Sequence, residues 1–275
     1  MKILLVKRII EYIDPMEIEL LSALARREGH STFLSVLTQD NLEEDIKRIK
    51  PDAVAFSTLT GEHRYYLEAA RIVKKISPRL PTIIGGPHCT FFPEMIERQN
   101  IDFVGSGECD NAWPALLKAL DTSGDTNNIQ NIFTKENWFG KFRDADFNGR
   151  RTHLAGRTTN LDDLPFFDRE FVYQHTHLAD FPMRSFMSSR GCPFECTYCF
   201  EPKFNKLYAG KGPIFNRYSV KRLCAELRDI KERWPTQFIK FYDDMFFVKK
   251  GIDPWLEEFA EVYPREVGLP CFCLT

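Results

Sequence analysis

The sequence predicts an α/β chain: an open, doubly wound parallel sheet of five strands, followed by the first part of a (βα) barrel. Three observations carry this reading. Five strand-then-helix units succeed one another within the first 120 residues. The same repetition resumes after residue 184. Between them runs a polar stretch rich in turn residues. Consecutive βα units bury both faces of a parallel sheet beneath helices, which is why the pattern points to this architecture.

Lys2–Val6 is a short apolar run suited to a buried parallel strand. Asp14-Pro-Met-Glu17 offers an N-cap, a proline at N1 and a glutamate at N3 before the periodic segment Ile18–Ala25. Gly29 ends that helix. Strands follow at Ser31–Leu37, Ala53–Ser57, Pro81–Ile84 and Ile101–Val104. Helices follow at Leu42–Ile49, Tyr65–Ile76, Phe92–Arg98 and Trp113–Leu120. This gives a Rossmann-like domain over residues 1–122. Residues 123–183 read as a connector, with a small hairpin at Lys135–Lys141 and an extended, proline-containing segment at Leu161–Asp168. In residues 184–275, strands are expected at Arg184–Ser189, Phe238–Tyr242 and Pro270–Leu274, and helices at Ser219–Trp234 and Trp255–Tyr263. A barrel with only about three βα units is incomplete, so the chain reads as the N-terminal part of a longer protein.

Composition narrows the function classes. The net charge of −2, with both signs well mixed, does not suit nucleic acid or an anionic membrane. No apolar run approaches the roughly 20 residues of a membrane span. Met1–Val6 is too short an apolar run for a signal peptide. Without an export signal, eight cysteines in a chain of this size fit a reducing cytoplasm better than a disulfide framework.

Only three of the eight cysteines cluster: Cys192, Cys196 and Cys199, in Ser188-Ser-Arg-Gly-Cys-Pro-Phe-Glu-Cys-Thr-Tyr-Cys-Phe200. Three thiolates can ligate three irons of a [4Fe–4S] cube and leave the fourth open to a small molecule. An open position marks a catalytic rather than a structural metal site. This loop follows the first strand of the second βα series, the end at which βα barrels place their active sites.

The Cys-x3-Cys-x2-Cys run, with Tyr198 before its last cysteine, closely resembles the radical S-adenosylmethionine (SAM) superfamily. The resemblance implies that the open iron binds the amino and carboxylate groups of SAM and that SAM is cleaved reductively. Phe241-Tyr-Asp-Asp-Met-Phe246 resembles the Phe-x-Asp-Asp-x-Phe of the cobalamin-dependent branch, which implies that Asp243 or Asp244 contacts the SAM ammonium, with Tyr198 nearby. Asn216-Arg-Tyr-Ser219 only partly resembles an Arg-x-Arg-Ser segment.

Three turns at the strand ends of the first domain stand out, as tight turns or as a ligand cradle. They are Ser57-Thr-Leu-Thr-Gly61, Gly85-Gly-Pro-His88 and Gly105-Ser-Gly-Glu108. Glycines there admit close approach of a ligand, and ligands of doubly wound sheets bind beyond the carboxyl ends of the strands. No Gly-x-Gly-x-x-Gly follows the first strand, so the dinucleotide fingerprint is absent. Ser57-Thr-Leu59 and Gly85-Gly86 resemble the cobalamin-binding domain. The resemblance implies that Ser57, Thr58, Leu59, Gly85, Gly86, Pro87, His88, Gly105 and Glu108 surround cobalamin. Lys7–Asp14 contains no histidine, so the strand-1 loop supplies no cobalt ligand. Leu161-Asp-Asp-Leu-Pro165 resembles the connector between cobalamin domains and radical SAM barrels.

The two resemblances together imply a [4Fe–4S] cluster, SAM and cobalamin acting on a small-molecule substrate. An electron donor such as flavodoxin or ferredoxin is the implied partner. The implied reaction is cobalamin-dependent methyl transfer to an unactivated carbon. The alternatives are cyclisation or rearrangement of the tetrapyrrole-cyclase kind, or a cluster- and cobalamin-binding fragment without turnover.

Overall fold

A computed structural model describes residues 1–247 and 253–274. Its first sheet contains β1 (Lys2–Lys7), β2 (Ser31–Val36), β3 (Ala53–Ser57), β4 (Thr82–Gly85), β5 (Phe103–Gly105) and β6 (Ile132–Thr134). The order is β2-β1-β3-β4-β5-β6. The first five strands are parallel, as expected, and β6 runs antiparallel along β5. The sheet therefore continues past residue 122 into the stretch read as connector. Helices α1 (Met16–Arg27), α2 (Leu42–Ile49), α3 (His63–Ile76), α4 (Pro87–Phe91) and α5 (Ala112–Thr122) alternate with these strands. The central strands are buried on both faces, and β3 is buried along its whole length.

The second unit begins with α6 (Arg169–Tyr173), then β7 (Met183–Phe186) and β8 (Ser189–Arg190). It continues with α7 (Glu201–Leu207), β9 (Asn216–Arg217), α8 (Val220–Arg233), β10 (Phe238–Phe241), α9 (Pro254–Glu266) and β11 (Cys271–Cys273). Strands β7, β10 and β11 form a parallel sheet in the order β11-β10-β7, and β8 pairs antiparallel with β9. The limits of α8 follow its caps: the Ser219 hydroxyl accepts from Arg222 N at 3.1 Å. One apolar core runs from the first sheet into the second, including Ile3, Leu24 and Trp113 on one side and Phe186, Leu223 and Phe241 on the other.

Two local expectations give way to tertiary or capping demands. Lys135–Lys141 is not a hairpin but a helical turn at Lys135–Asn137 leading into a π-helical turn at Trp138–Phe142. Thr134 and Asn137 close a reciprocal capping box, with bonds of 3.1 and 3.0 Å, and that fixes a helix start. Asp14 does not cap α1, which starts behind Pro15 without a side-chain cap. Its buried carboxylate instead accepts from Ser185 N at 2.6 Å and from the Tyr173 hydroxyl, and pairs with Arg169 at 2.9 Å. A residue from the loop after β1 thus pins β7 from 171 positions away.

Glu19 lies beside this cluster, fully buried, with neither carboxylate oxygen hydrogen-bonded. Burial holds its carboxyl well above the usual range, opposed by Arg169 and reinforced by Asp14. A carboxyl raised in the folded state contributes fully below its unfolded pKa, and stability declines as pH rises toward its folded value. Glu19→Gln removes that titration. The variant is expected to melt above the wild type at pH 8, by roughly 2–4 °C for a 1 kcal/mol effect in a chain of this size. Near pH 5 the two should melt together, as scanning calorimetry at the two pH values would show.

Candidate functional site

The parallel strands of the first sheet end beside the segment that carries the cysteines, and a cavity of about 380 Å3 lies between them. On the first-sheet side it is lined by Ser57, Gly85, Gly86, Gly105 and Glu108; on the other by Ser189, Arg190, Gly191, Glu201 and Asp244. A second cavity of about 870 Å3 shares Thr90, Phe91 and Phe200 with the first and is lined also by Thr197, Tyr198 and Cys199.

The cradle on the first-sheet side is a backbone construction. Thr58 N donates to Gly85 O at 3.0 Å, and His88 N donates to Thr58 O at 3.2 Å, so the turns after β3 and β4 are interlocked. Gly86 has φ +96°, and a Cβ there would lie 2.7 Å from Thr58 O, so only glycine fits. Gly85 and Gly105 stand side by side on adjacent strands and leave that wall without side chains. Ser57 and Thr58 are buried, whereas Leu59 is exposed at the rim. Pro87 starts α4 and lines the cavity.

His88 and Glu108 both have close partners within the protein. His88 is buried, stacked on His63 at 4.3 Å and on Phe92 at 4.9 Å, and its Nδ1 is 3.1 Å from the Thr60 hydroxyl. Burial, with His63 beside it, lowers its pKa and favours the neutral ring. It does not line the smaller cavity. Glu108 does, but its carboxylate is 3.0 Å from Arg157 Nε and 3.7 Å from Arg190, and it accepts from Thr158 N at 3.3 Å. Its backbone N donates to the Tyr208 hydroxyl at 2.6 Å. Burial still raises its carboxyl, against both arginines.

The cysteine loop, residues 191–200, leaves β8 and enters α7. Gly191 has φ +82°, with Ile214 O where a Cβ would stand. Cys192 is buried, Cys196 exposed and Cys199 intermediate, and all three thiols are free. Cys199 N donates to Cys196 O at 3.0 Å, and Asn205 Nδ2 donates to Cys192 O at 2.8 Å. The donor set suits an iron–sulfur cube: three thiols on one loop, open to a ligand. The thiols are not gathered, however. Among the described residues no three Cys, His, Asp or Glu side chains are grouped to hold a metal ion. Cluster binding on this loop therefore requires its side chains to converge. Tyr198 is 92% exposed and lines the larger cavity, so it is at the surface rather than packed in the smaller cavity.

The structure separates the two aspartates after β10. Asp243 is fully buried, and its carboxylate accepts from Ser188 N at 3.1 Å, the Ser188 hydroxyl at 2.9 Å and the Ser189 hydroxyl. These bonds fasten the end of β10 to the segment between β7 and β8. Asp244 is exposed and lines the cavity. Partial desolvation, with Asp243 adjacent, raises its carboxyl.

Four residues that sequence reasoning passed over shape the site. Arg190 forms a forked pair with Asp110, at 2.6 and 3.3 Å. Asp110 also accepts from the Thr158 hydroxyl at 2.7 Å. Arg157 donates to Ile214 O at 2.8 Å and lies over the Phe204 ring at 4.8 Å. Glu201 is buried at 4% exposure, and desolvation plus Asp244 pushes its carboxyl up to about 7, opposed by Arg157 and the Cys192 amide. Arg190 and Glu201 adjoin the cysteine motif, and that adjacency was the available signal. Arg157 carried none, being 35 residues before Cys192 in a polar connector.

This geometry defines a two-part α/β protein with a cavity between the strand ends of a doubly wound sheet and a cysteine loop on a βα unit. Residues 4–117 match the B12 binding domain family. Among curated proteins the chain is similar to an uncharacterized methyltransferase of Pyrococcus horikoshii, 29% identical over 86% of this chain and 50% of that protein. It is similar to the hopanoid C-3 methylase of Methylococcus capsulatus, 26% identical over 86% of this chain and 43% of the other. It is also similar to the anaerobic magnesium-protoporphyrin IX monomethyl ester cyclase of Rubrivivax gelatinosus, 23% identical over 85% and 40%. The chain spans half or less of the length of these relatives. Its fold matches the radical SAM methyltransferase TsrM of Kitasatospora setae, solved with cobalamin and a [4Fe–4S] cluster, at a TM-score of 0.63 and 16% identity, over 89% of this chain and 48% of that one. Residues 4–117 thus carry a B12 binding domain, and the chain as a whole shares the α/β fold of that solved structure. Among the described residues no helix is long and apolar enough to cross a membrane.

The forked pair yields a test. Arg190→Leu leaves Asp110 buried without its cation and is expected to cost roughly 3 kcal/mol in urea unfolding. Adding Asp110→Asn should recover a large part of that loss.

Proposed function

We propose that this chain carries the cofactor-binding part of a cobalamin-dependent radical SAM enzyme that transfers methyl to an unactivated carbon of a small-molecule substrate. The observation that carries the proposal is the shared cavity: the glycine-lined strand ends of the B12 binding domain and the cysteine-bearing segment form opposite walls of one space. With the cofactors bound, the cluster supplies reductive cleavage of SAM and the corrinoid supplies a transferable methyl group.

In this reading Cys192, Cys196 and Cys199 hold the cluster and leave one iron for SAM. Asp244 accepts a hydrogen bond from the SAM ammonium, while Asp243 keeps the end of β10 in place through Ser188 and Ser189. Ser57, Thr58, Gly85, Gly86 and Gly105 line the corrinoid's nucleotide tail, with Leu59 and Pro87 at the rim. Neutral, stacked His88 buttresses the Gly86 turn, and Glu108 holds Arg157 and Arg190 rather than the ligand. The apolar residues of the two adjoining cavities keep water from the reacting groups. The reading requires a one-electron donor of the flavodoxin or ferredoxin class and a reducing cytoplasm, in keeping with eight free cysteines.

A second reading, ring formation, is favoured by the similarity to a cyclase. Incubating the reconstituted full-length protein with methyl-labelled SAM and a reductant separates the two. Methyl transfer predicts 5′-deoxyadenosine together with label in the product. Deoxyadenosine without label transfer removes the methyltransferase reading. Replacing any one of the three cysteines by alanine should abolish deoxyadenosine formation in either case.

A further inference from the structure

The charges around the smaller cavity do not balance internally. Five carboxylates line it: Glu17, which pairs with Lys7, and Glu108, Asp110, Glu201 and Asp244. Two guanidiniums line it as well, Arg157 and Arg190. Arg190 is committed to Asp110 and Arg157 to Glu108. Arg157 is held further by Pro213 O at 3.1 Å and Ile214 O at 2.8 Å, so it is not free to swing to another carboxylate. Glu201 and Asp244 form no ion pair among the described residues. Glu201 is the sharper case, being 4% exposed with an Oε2 that has no hydrogen-bond partner. A buried carboxylate oxygen without a donor is costly even where, as here, a backbone amide (Cys192) supports the group, and such an atom calls for a ligand that completes it.

Its position is set by the chain. Glu201 is the first residue of α7, directly after the cysteine loop, with Pro202 behind it. Tyr208, at the other end of that helix, is held against the first domain by the Glu108 amide. The helix therefore presents Glu201 to the cavity from the cysteine side, while the end of β10 presents Asp244.

We propose that Glu201, together with Asp244, is the counter-charge for a cationic group of the bound ligand, the sulfonium or the ammonium of SAM. The proposal rests on the radical SAM reading and extends it to a residue outside the cysteine and Asp-Asp motifs. A carboxylate beside a sulfonium or ammonium stabilises it electrostatically, and a partly desolvated cavity strengthens that attraction. Glu201 is in this account a ligand-binding residue that touches SAM. It transfers no proton and no electron.

The test is equilibrium binding of SAM and of S-adenosylhomocysteine, which lacks the sulfonium charge, to cluster-reconstituted full-length protein. It compares wild type, Glu201→Gln and Asp244→Asn, with thermal unfolding of each ligand-free protein alongside. The proposal expects Glu201→Gln to weaken SAM about ten-fold, the loss of one charge-assisted contact, with a ligand-free melting temperature equal to or above wild type. Loss of the preference for SAM over S-adenosylhomocysteine assigns the contact to the sulfonium. Equal weakening of both ligands assigns it to the ammonium. Asp244→Asn, at an exposed position where folding is not at stake, should also weaken SAM. Unchanged SAM affinity in Glu201→Gln overturns the proposal. So does weakened binding accompanied by a lowered melting temperature, which would mark Glu201 as structural. A wild type that binds neither ligand overturns the radical SAM reading and this inference with it, whereas a wild type that binds SAM with variants unchanged overturns this inference alone.

Discussion

The forked pair between Arg190 and Asp110 decides where the cysteine loop sits. Arg190 is two residues before Cys192, and Asp110 follows β5 in the first sheet. A guanidinium fork matches a carboxylate in one plane, so the pair fixes orientation as well as distance. Thr158 and Glu108 occupy the remaining positions around it. With this contact in place, the loop that carries the thiols and the glycine-rich strand ends become two walls of one space. A buried pair of this kind contributes little net stability against an apolar alternative, and its value is in register.

A second buried carboxylate does the same work on another side. Asp14 ties the loop after β1 to β7 through Ser185 and to α6 through Arg169 and Tyr173. Asp243 then binds the end of β10 to Ser188 and Ser189, just ahead of the cysteines. Three acidic side chains, each satisfied by several donors, hold the strand ends about the cavity. Satisfied polar networks of this kind specify one arrangement, since each alternative leaves a buried charge without partners. Glu201 differs from them in keeping one buried carboxylate oxygen without a donor.

The βα alternation and the cysteine run were legible in the sequence because their signals are local: apolar periodicity, turn glycines and close thiol spacing. The glycine cradle was legible for the same reason, as Gly86 shows by needing a positive φ. Strand alternation could have separated the two aspartates. Ile239, Phe241 and Asp243 share one buried face, leaving Asp244 for the other. Asp14 was misread because a good N-cap sequence says nothing of a buried arginine 155 residues later, Arg169. The capping box at Thr134 and Asn137 was local but carried asparagine where glutamate or glutamine is usual, so the helix start passed unnoticed. His88 was placed at the ligand by its turn, and its stack with His63 and Phe92 became visible only in the structure. Arg157 was out of reach, since its role exists only once two distant segments meet.

The proposed function requires that one chain present two cofactor sites to a common cavity. Anaerobic reconstitution of the full-length protein with iron, sulfide and cobalamin, followed by optical spectra after removal of unbound cofactor, tests it most directly. The account predicts cluster and corrinoid absorption in the same protein, and a triple cysteine-to-alanine variant that loses the cluster while retaining the corrinoid. Protein that assembles the cluster but never retains cobalamin would contradict it.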